Sequence, residues 1–420
     1  MTDQRPPLFQ VAQINFPTPD ISLLANGLKV YMIEGGSQEV CKLDFMFLAG
    51  RPFEHKRLTA ATMAGVLKEG SEKYTAATIA DMVDQAGATM SSPFSFDHIS
   101  LQLSCLNKYV EELLPLMIDV LRRPAFDKHE ISLFKKRTER RLAVDLSNNE
   151  VIAYRKATEQ YFGPQHPYGY NSEITLYRDV NRDDLKLHHE HYFRPNHAIL
   201  FMAGRIPPAL VDKINTMVES WEEGQPSKHP IMPEIAVPVA NRIEEDMGKS
   251  QTAIRVGRRL FNRNHPDWPA IFVMNTVLGG YFGSRLMKHL REQKGLTYGV
   301  HSTVESLRYD GYLSISLETE RKYARRALKG IYQEIEILQN ELVPVNELQM
   351  VKNYLGGYLL SLMDGPLQTL EVLKNNLAEE SPFDFTTSLL KQIASIRADD
   401  IRQMAQKYLA KDLLSEVIIY

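Results

Sequence analysis

Apolar positions near the start of the chain follow two different periods. The segments GLKVYMIE (27–34) and VCKLDFMFLAG (40–50) are rich in β-branched and aromatic residues and flank a glycine pair at 35 and 36, which predicts two strands joined by a turn. The segments TAATMAGVLKEG (59–70) and TAATIADMVDQAGA (75–88) place apolar residues at helical spacing, with glycine near each end. Two strands followed by two helices are therefore predicted.

The alternation of strands and helices continues to about residue 206. HISLQLSCL (98–106) and HAILFMAGRI (197–206) predict strands, whereas YVEELLPLMIDVLRR (109–123) and the segment from Lys128 to Leu146 predict long helices. Because neighbouring strands are hairpin-like, a mixed or antiparallel sheet is favoured over a doubly wound parallel one. The predicted fold class is α+β, with helices packed on the sheets.

Three pairs of similar segments recur in the same order at nearly one offset. Residues 181–193 resemble 397–409 at an offset of 216 residues, and residues 129–142 resemble 346–359 at an offset of 217. Residues 99–109 resemble 313–323 at an offset of 214. Colinear matches at one spacing indicate an internal duplication. We therefore predict two homologous sandwich halves, built from about 200 residues each.

The boundary between the halves is predicted from composition. EEGQPSKHPIMPEIAVPVANR (222–242) carries four prolines and little helical periodicity, which is typical of an extended connector. The predicted N-terminal half is 1–222, the linker is 223–242, and the C-terminal half is 243–420.

Composition and charge exclude several classes of function. Of 420 residues, 44% are hydrophobic and 24% charged, and the net charge is −3, so electrostatics give no reason to expect nucleic acid or an anionic membrane as a partner. Cys41 and Cys105 lack metal-ligand spacing, and we expect them to be buried, reduced thiols. The start MTDQRPPLFQ has no apolar signal segment and no run reaches the roughly 18 apolar residues of a membrane span, so a cytoplasmic location is expected.

Candidate chemistry lies in LGGYFGSRLMKHLREQKGLTYGV (278–300). The glycine pair permits positive φ or close approach of another backbone, Ser284 is a plausible N-cap, and Gly295 is a plausible C-cap. Arg291 then lies at the end of a helix and Tyr298 early in the next strand. Two convergent donors of this kind suit a carbonyl, a carboxylate or an oxyanion. The alternative is an arginine that stabilises the helix dipole beside a half-buried tyrosine.

This segment resembles the insulinase-like (pitrilysin, M16) family of zinc metallopeptidases, in its short-chain branch with processing peptidases and cytochrome bc1 core subunits. HPYGY (166–170) and YFRPNHAILFMAG (192–204) resemble two further landmarks of that family, and the duplication agrees with it. The resemblance implies that Arg291 and Tyr298 contact a peptide substrate and help to polarise its scissile carbonyl. It also implies that Gly279, Gly280 and Gly283 lie against the substrate path.

The zinc signature of that family, His-x-x-Glu-His on the first helix of the first half, is not present in this sequence. Aligning the family motif on the helix at 58–70 puts Ala61 and Gly65 in the histidine positions and Ala64 in the position of the water-activating glutamate. None of these side chains can ligate zinc or transfer a proton.

The position of the third zinc ligand, taken from the same alignment, falls near Arg140 and Arg141, whose positive charge would repel zinc, with Glu139 adjacent. We therefore expect no metal bound by this chain and no catalytic residue of its own. If the chain takes part in catalysis, zinc is expected in a partner subunit.

A histidine-rich segment, LKLHHEHYFRPNH (185–197), is the strongest competing metal candidate. His188, Glu190, His191 and His197 lie within ten residues, but the matching segment of the second half, RQMAQKYL, has no such ligands. An amphipathic helix with adventitious metal binding or none is therefore predicted. His166 is expected to serve packing or a turn.

Loss of the zinc motif with retention of the arginine–tyrosine pair resembles the non-catalytic subunit of a heterodimer. The resemblance implies a peptide-binding subunit that acts with a homologous zinc-binding chain of a metalloendopeptidase. The alternative is a structural or peptide-binding homodimer without proteolysis, similar to the core subunits. A third possibility, peptidase activity of this chain alone, would need an unrecognised site.

Overall fold

The computed structural model describes residues 16–224, 230, 232 and 241–420. In these residues the strands are β1 (Asp20–Leu23), β2 (Lys29–Glu34), β3 (Val40–Phe47), β4 (Thr89–Ser91), β5 (Ile99–Leu106), β6 (Ala198–Gly204), β7 (Arg242–Glu245), β8 (Gln251–Leu260), β9 (Thr297–Ser306), β10 (Gly311–Glu320) and β11 (Ser415–Ile419). The helices are α1 (Thr59–Val66), α2 (Ala76–Gln85), α3 (Asn107–Arg122), α4 (Lys128–Asp145), α5 (Asn149–Phe162), α6 (Ile174–Asp179), α7 (Arg182–Tyr192), α8 (Leu210–Val218), α9 (Trp268–Leu278), α10 (Ala324–Asn340), α11 (Val345–Ser361), α12 (Pro366–Ala378), α13 (Phe385–Ser395) and α14 (Ala398–Tyr408).

The first compact unit comprises residues 17–224 together with 365–378. Its described strands form one sheet in the order β1-β2-β6-β3-β5-β4. The pair β2–β6 is parallel, and the remaining neighbours are antiparallel. Alternate residues of β3 and β5, including Leu43, Phe45 and Leu101, are completely buried against α1 and α3 in one apolar core.

The second compact unit comprises residues 241–364 and 379–420. Its described strands form a sheet in the order β7-β11-β8-β10-β9, antiparallel except for the β7–β11 pair. Ile254, Leu313 and Ile315 face a core built with α9, α10 and α14. The prediction of two α+β units with mixed sheets is confirmed, and so is the duplication: α4 and α11 begin 217 residues apart, and α7 and α14 begin 216 apart.

Local sequence signals account for several helix boundaries. Thr75 accepts a hydrogen bond from the Thr78 N–H at the start of α2, and Asn181 with Asp184 forms a reciprocal capping box at the start of α7. The predicted linker, 223–242, falls largely outside the described residues, as does the start of the chain. No helix in the described part of the chain has the length and apolar character needed to cross a bilayer.

Helix α12 lies late in the chain but contacts β2 and β6 of the first sheet. Its Lys374 Nζ lies 2.6 Å from Oδ2 of Asp44 on β3, and both side chains are buried, with 4% and 0% exposed. Gln102 on β5 donates a second hydrogen bond to the same carboxylate. A charged pair therefore fixes α12 to the face of the sheet opposite the apolar core.

The two cysteines lie directly opposite each other on β3 and β5. Both are free and buried, as predicted, and their Sγ atoms are 4.0 Å apart. Hydrogen bonding and burial raise the pKa of Cys105. The Cys105 thiol is therefore not suited to nucleophilic chemistry at neutral pH.

Candidate functional site

Arg291 lies on a π-helical segment, Met287–Gln293, rather than on the α-helix predicted from the sequence. The wider turn is visible in the hydrogen bond from the Lys294 N–H to the His289 carbonyl, five residues back. Gly295 ends the segment with φ of +58°, which confirms the predicted C-cap glycine. Single π-helical turns are rare and are frequent at functional sites.

Tyr298 lies at a β-bulge near the start of β9, an end strand of the second sheet. Val300 pairs with Leu317 and Thr297 with Thr319, so Tyr298 and Gly299 together oppose one residue of β10. Without the extra residue, Tyr298 would occupy the core-facing position that Thr297 takes. With the extra residue, the Tyr298 side chain is 92% exposed.

The Thr297 hydroxyl holds the bulge in place. Its oxygen lies 2.6 Å from the Glu318 carbonyl oxygen and 2.8 Å from that of Gly299, which share its single O–H, and it accepts from the Gly299 N–H at 3.1 Å. The Thr319 hydroxyl on β10 donates to the Leu296 carbonyl. Side-chain hydrogen bonds thus replace the ladder bonds that the extra residue interrupts.

The structure brings Arg291 and Tyr298 together and adds a third residue that sequence reasoning missed. The Arg291 guanidinium carbon lies 5.4 Å from the centre of the Tyr298 ring and 4.7 Å from that of Phe282, whose side chain is 67% exposed. Such cation–π contacts orient a guanidinium without occupying its in-plane donors. In the sequence, Phe282 is indicated only by the pattern Phe-Gly-Ser ahead of the helix, which is a weak signal.

The side chains of Arg291 and Tyr298 make no hydrogen bond or ion pair with any residue in the described ranges. The guanidinium N–H groups and the phenol O–H therefore remain available to a ligand. The alternative of a half-buried tyrosine is wrong, because the Tyr298 ring is almost fully exposed.

The glycine pair serves close packing rather than positive φ. A Cβ on Gly279 would lie 2.8 Å from the Ser302 nitrogen on β9, and the Ser302 N–H donates to the Gly279 carbonyl at 3.0 Å. Asn275 Nδ2 donates to the Ser302 carbonyl, so this part of the β9 edge is already paired. A Cβ on Gly280 would lie 2.7 Å from the Thr276 Cα. The predicted substrate contacts of Gly279, Gly280 and Gly283 stay predictions.

In the first unit, the positions of the zinc motif do not fit a metal. Ala61, Ala64 and Gly65 lie on α1 and have no donor atoms in their side chains. A Cβ on Gly65 would lie 2.0 Å from Cε2 of Phe134 on α4, so the phenyl ring occupies the space that a histidine at 65 would need. The ring also packs edge-on against Tyr177.

Replacing Gly65 by alanine is expected to lower the free energy of unfolding by about 1–3 kcal/mol, although alanine is the better helix former. The Phe134 ring must move to admit the methyl group. Thermal unfolding would measure the loss. In the double variant Gly65→Ala/Phe134→Leu the two costs should not add, because the smaller side chain removes the clash. Additive costs would show that the ring does not occupy this space.

The position predicted for a third ligand is also unsuited to a metal. The Glu139 carboxylate accepts hydrogen bonds from Arg178 at 3.0 and 3.2 Å, and these bonds lower its pKa. Arg140 and Arg141 are exposed. The carboxylate is therefore held by a guanidinium, and its neighbours are cationic.

The turn before α1 contains a half-buried carboxylate, that of Glu54, which the sequence analysis did not single out. Glu54 accepts from the N–H groups of Leu58 and Ala60 and from the Tyr170 hydroxyl. Burial raises its pKa, and these hydrogen bonds partly oppose that effect. Leu58 has φ of +67°, a strained value for leucine, and the carboxylate bridges this residue to the helix start. Glu54 thus stabilises α1.

The histidine-rich segment forms no metal site. His188 is fully buried and donates from Nε2 to the Ala49 carbonyl at 2.9 Å, while His191 is exposed on the same helix. No group of three histidine, cysteine, aspartate or glutamate side chains with metal-binding geometry occurs among the residues described. His166 is buried and its Nδ1 accepts from the Tyr168 N–H, which confirms the predicted turn role.

Two family models match the chain. Residues 63–162 match "Insulinase (Peptidase family M16)" and residues 179–355 match "Peptidase M16 inactive domain", which together cover about two thirds of the sequence. The second match contains the segment with Arg291 and Tyr298, and the first contains part of the altered zinc motif.

Similar proteins are known from bacteria. The chain is 20% identical over 347 residues to the "uncharacterized zinc protease YmxG" of Bacillus subtilis, covering 82% of this chain and 84% of the relative. It is 22% identical over 356 residues to the "non-peptidase homolog YmxG" of Helicobacter pylori, covering 83% and 81%.

Solved structures agree in fold. The "peptidase M16 inactive domain" of Pseudomonas fluorescens aligns with a TM-score of 0.87 and 22% identity over 96% of this chain and 98% of that one. A "protease from Helicobacter pylori" aligns with a TM-score of 0.87 and 16% identity over 96% and 100%. Taken with the two family matches and the altered motif at Ala61, Ala64 and Gly65, these likenesses lead to one conclusion: the chain belongs to the M16 peptidase family, as a member of its inactive type.

Proposed function

We propose that this chain is a non-catalytic, substrate-binding subunit of an M16-type zinc metalloendopeptidase. It holds an extended peptide at Arg291 and Tyr298, while a separate homologous chain carries His-x-x-Glu-His and the zinc ion. The single observation that carries the proposal is the pairing of Arg291 with Tyr298, 5.4 Å from guanidinium carbon to ring centre, with the donors of both unused among the described residues.

The chemistry of the pair supports a peptide ligand. A guanidinium presents several N–H donors in one plane, and a phenol adds one O–H donor, so together they suit a backbone carbonyl or a carboxylate. The cost of holding the partly exposed Arg291 side chain in one orientation is reduced here because Phe282 and Tyr298 already contact it. A purely structural subunit has no physical need for these two unpaired donors.

The first unit supports the assignment of zinc to a partner. Ala61, Ala64 and Gly65 offer no ligand, and Phe134 occupies the space beside Gly65. A metal-activated water therefore has to come from another chain if this one takes part in peptide cleavage. The alternative, a homodimer that binds peptides or has a structural role without proteolysis, predicts no such dependence on a partner.

Replacing Arg291 by alanine is expected to weaken peptide binding by about tenfold to a hundredfold, because hydrogen bonds from a charged donor are lost. Tyr298→Phe, which keeps the ring, should weaken binding only about twofold to tenfold. A fluorescently labelled, unstructured peptide titrated with the full chain would measure both constants. Lys288→Ala is the matched control, since Lys288 is an exposed cation of the same segment.

A second assay separates the two functions. Mixing the chain with a homologue that carries the zinc motif should produce peptidase activity, and the Arg291 variant should reduce it. Peptide binding without activity in any mixture would favour the homodimer. Equal binding by wild type, Arg291→Ala and Tyr298→Phe would exclude a role for this pair.

A further inference from the structure

Helix α4 carries four basic side chains on the face that points away from the core. We call Lys136, Arg137, Arg140 and Arg141 the α4 basic stripe; all four are exposed, and the Arg141 side chain is 85% exposed. The opposite face of the helix packs through Ile131 and Leu142, which are buried. Residues three and four apart lie on the same face of a helix, so the four charges form one ridge.

The positive charges of the α4 basic stripe are hardly neutralised by neighbouring acidic side chains. The side chains of Lys136, Arg137 and Arg140 make no ion pair or hydrogen bond with a described residue, and that of Arg141 only approaches Asp145, at 3.7 Å. Glu139, the one acid within the stripe, is paired with Arg178 instead. Like charges four apart on a helix destabilise it by a few tenths of a kcal/mol for each pair. The four charges therefore carry a small cost in stability that their own helix does not offset.

The internal duplication shows that the fold does not require these charges. Helix α11 corresponds to α4 at the offset of 217 residues, and its equivalent positions are Asn353, Tyr354, Gly357 and Tyr358. Tyr354, Gly357 and Tyr358 are exposed too, yet none of the four is charged. An uncharged face is thus compatible with the same helix in the same kind of unit.

We propose that the α4 basic stripe is a docking surface for an acidic, amphipathic helix of a partner protein. Exposed apolar residues flank the charges at both ends, with Leu133 37% and Val144 70% exposed. From Leu133 to Val144 the ridge is about 16 Å long at 1.5 Å per residue, which is three turns of helix. A partner helix with carboxylates at i and i+4 between two apolar residues matches this arrangement.

The surroundings favour an acidic protein segment over nucleic acid or lipid. The chain as a whole has a net charge of −3, so an extended polyanion would be repelled beyond the short ridge. Neither a phosphate backbone nor a lipid headgroup has apolar groups placed to contact Leu133 and Val144 at the two ends of the ridge. A short acidic helix would use both the charges and the ends.

The test is binding of a synthetic helical peptide with two i, i+4 pairs of glutamate between terminal leucines. We expect the full chain to bind this peptide at low salt, at least tenfold more tightly than a peptide with glutamine in place of glutamate. Raising the salt to 0.5 M should weaken binding about tenfold, because exposed ion pairs are screened. The variant K136Q/R137Q/R140Q/R141Q should lose at least tenfold in affinity.

The control variant is K29Q/K73Q/K108Q/K186Q, which removes four exposed basic residues from the same unit and changes the net charge equally. It should bind the glutamate peptide like the wild type. Equal losses in both variants, or no measurable binding by the wild type, would overturn the proposal. So would tighter binding of a short DNA duplex or of phosphatidylglycerol vesicles. None of these outcomes depends on Arg291 or Tyr298.

Discussion

Replacing Lys374 by methionine is expected to lower the free energy of unfolding by about 3–5 kcal/mol. The change leaves the Asp44 carboxylate, 0% exposed, without its cationic partner in the interior of the first unit. Breaking a buried pair from one side costs far more than the pair contributes net, because the remaining charge cannot reach water. Urea unfolding followed by circular dichroism would measure the loss.

Two further variants make this measurement specific. Asp44→Asn/Lys374→Met should recover most of the stability, since a neutral amide needs no counter-ion and can still accept from Gln102. Lys42→Met breaks the neighbouring pair with Glu371, in which the glutamate is 42% exposed, and should cost no more than about 1 kcal/mol. If Lys374→Met cost no more than Lys42→Met, the buried pair would not be what holds α12.

Acid is expected to destabilise the first unit between about pH 6.5 and 4 through His188. Burial lowers the pKa of this histidine from 6.5 to about 4, and the hydrogen bond to Ala49 opposes the effect only partly. In that pH range the unfolded chain binds a proton that the folded chain does not, so stability falls as the pH falls. The contribution is fully present above pH 6.5 and amounts to roughly 3 kcal/mol.

The structure gives the physical reason for this neutral histidine. Nε2 donates to the Ala49 carbonyl, whereas Nδ1 has no partner among the described residues and would carry a buried, unpaired proton after acidification. Unfolding curves at pH 7 and pH 4.5 should differ less for His188→Gln than for the wild type. His191→Gln, on an exposed position of the same helix, should keep the full difference. An unchanged pH dependence in His188→Gln would assign the acid sensitivity to other groups.

Much of the fold could be predicted because its signals are local. The strands and helices of the first half follow the two periods of apolar residues, and Gly295 ends its helical segment at positive φ as its position suggests. The duplication was also visible in the sequence, because each half retains the same order of elements. The proximity of Arg291 and Tyr298 within one helix–turn–strand segment could be anticipated too, but the exposure of the Tyr298 ring could not.

The features that were missed depend on contacts between distant residues. The bulge at Tyr298 exists because β9 pairs with β10 in a register that only the folded sheet defines. The ring of Phe134 reaches Gly65 from another helix, 69 positions along the chain. Nothing in the apolar pattern of α12 indicates that its lysine pairs with Asp44, 330 residues away. Periodicity describes which face of an element is buried and leaves open which partner covers it.

The position of α12 has a consequence for protein synthesis. The first sheet is complete in sequence by residue 204, yet the helix that neutralises Asp44 ends only at Ala378. A ribosome-bound chain must therefore wait for about 170 further residues, at roughly 5–20 residues per second, before its N-terminal unit can close. During that interval one face of the sheet is exposed to chaperones and to aggregation. The N-terminal unit therefore cannot complete its folding before most of the C-terminal unit has been synthesised.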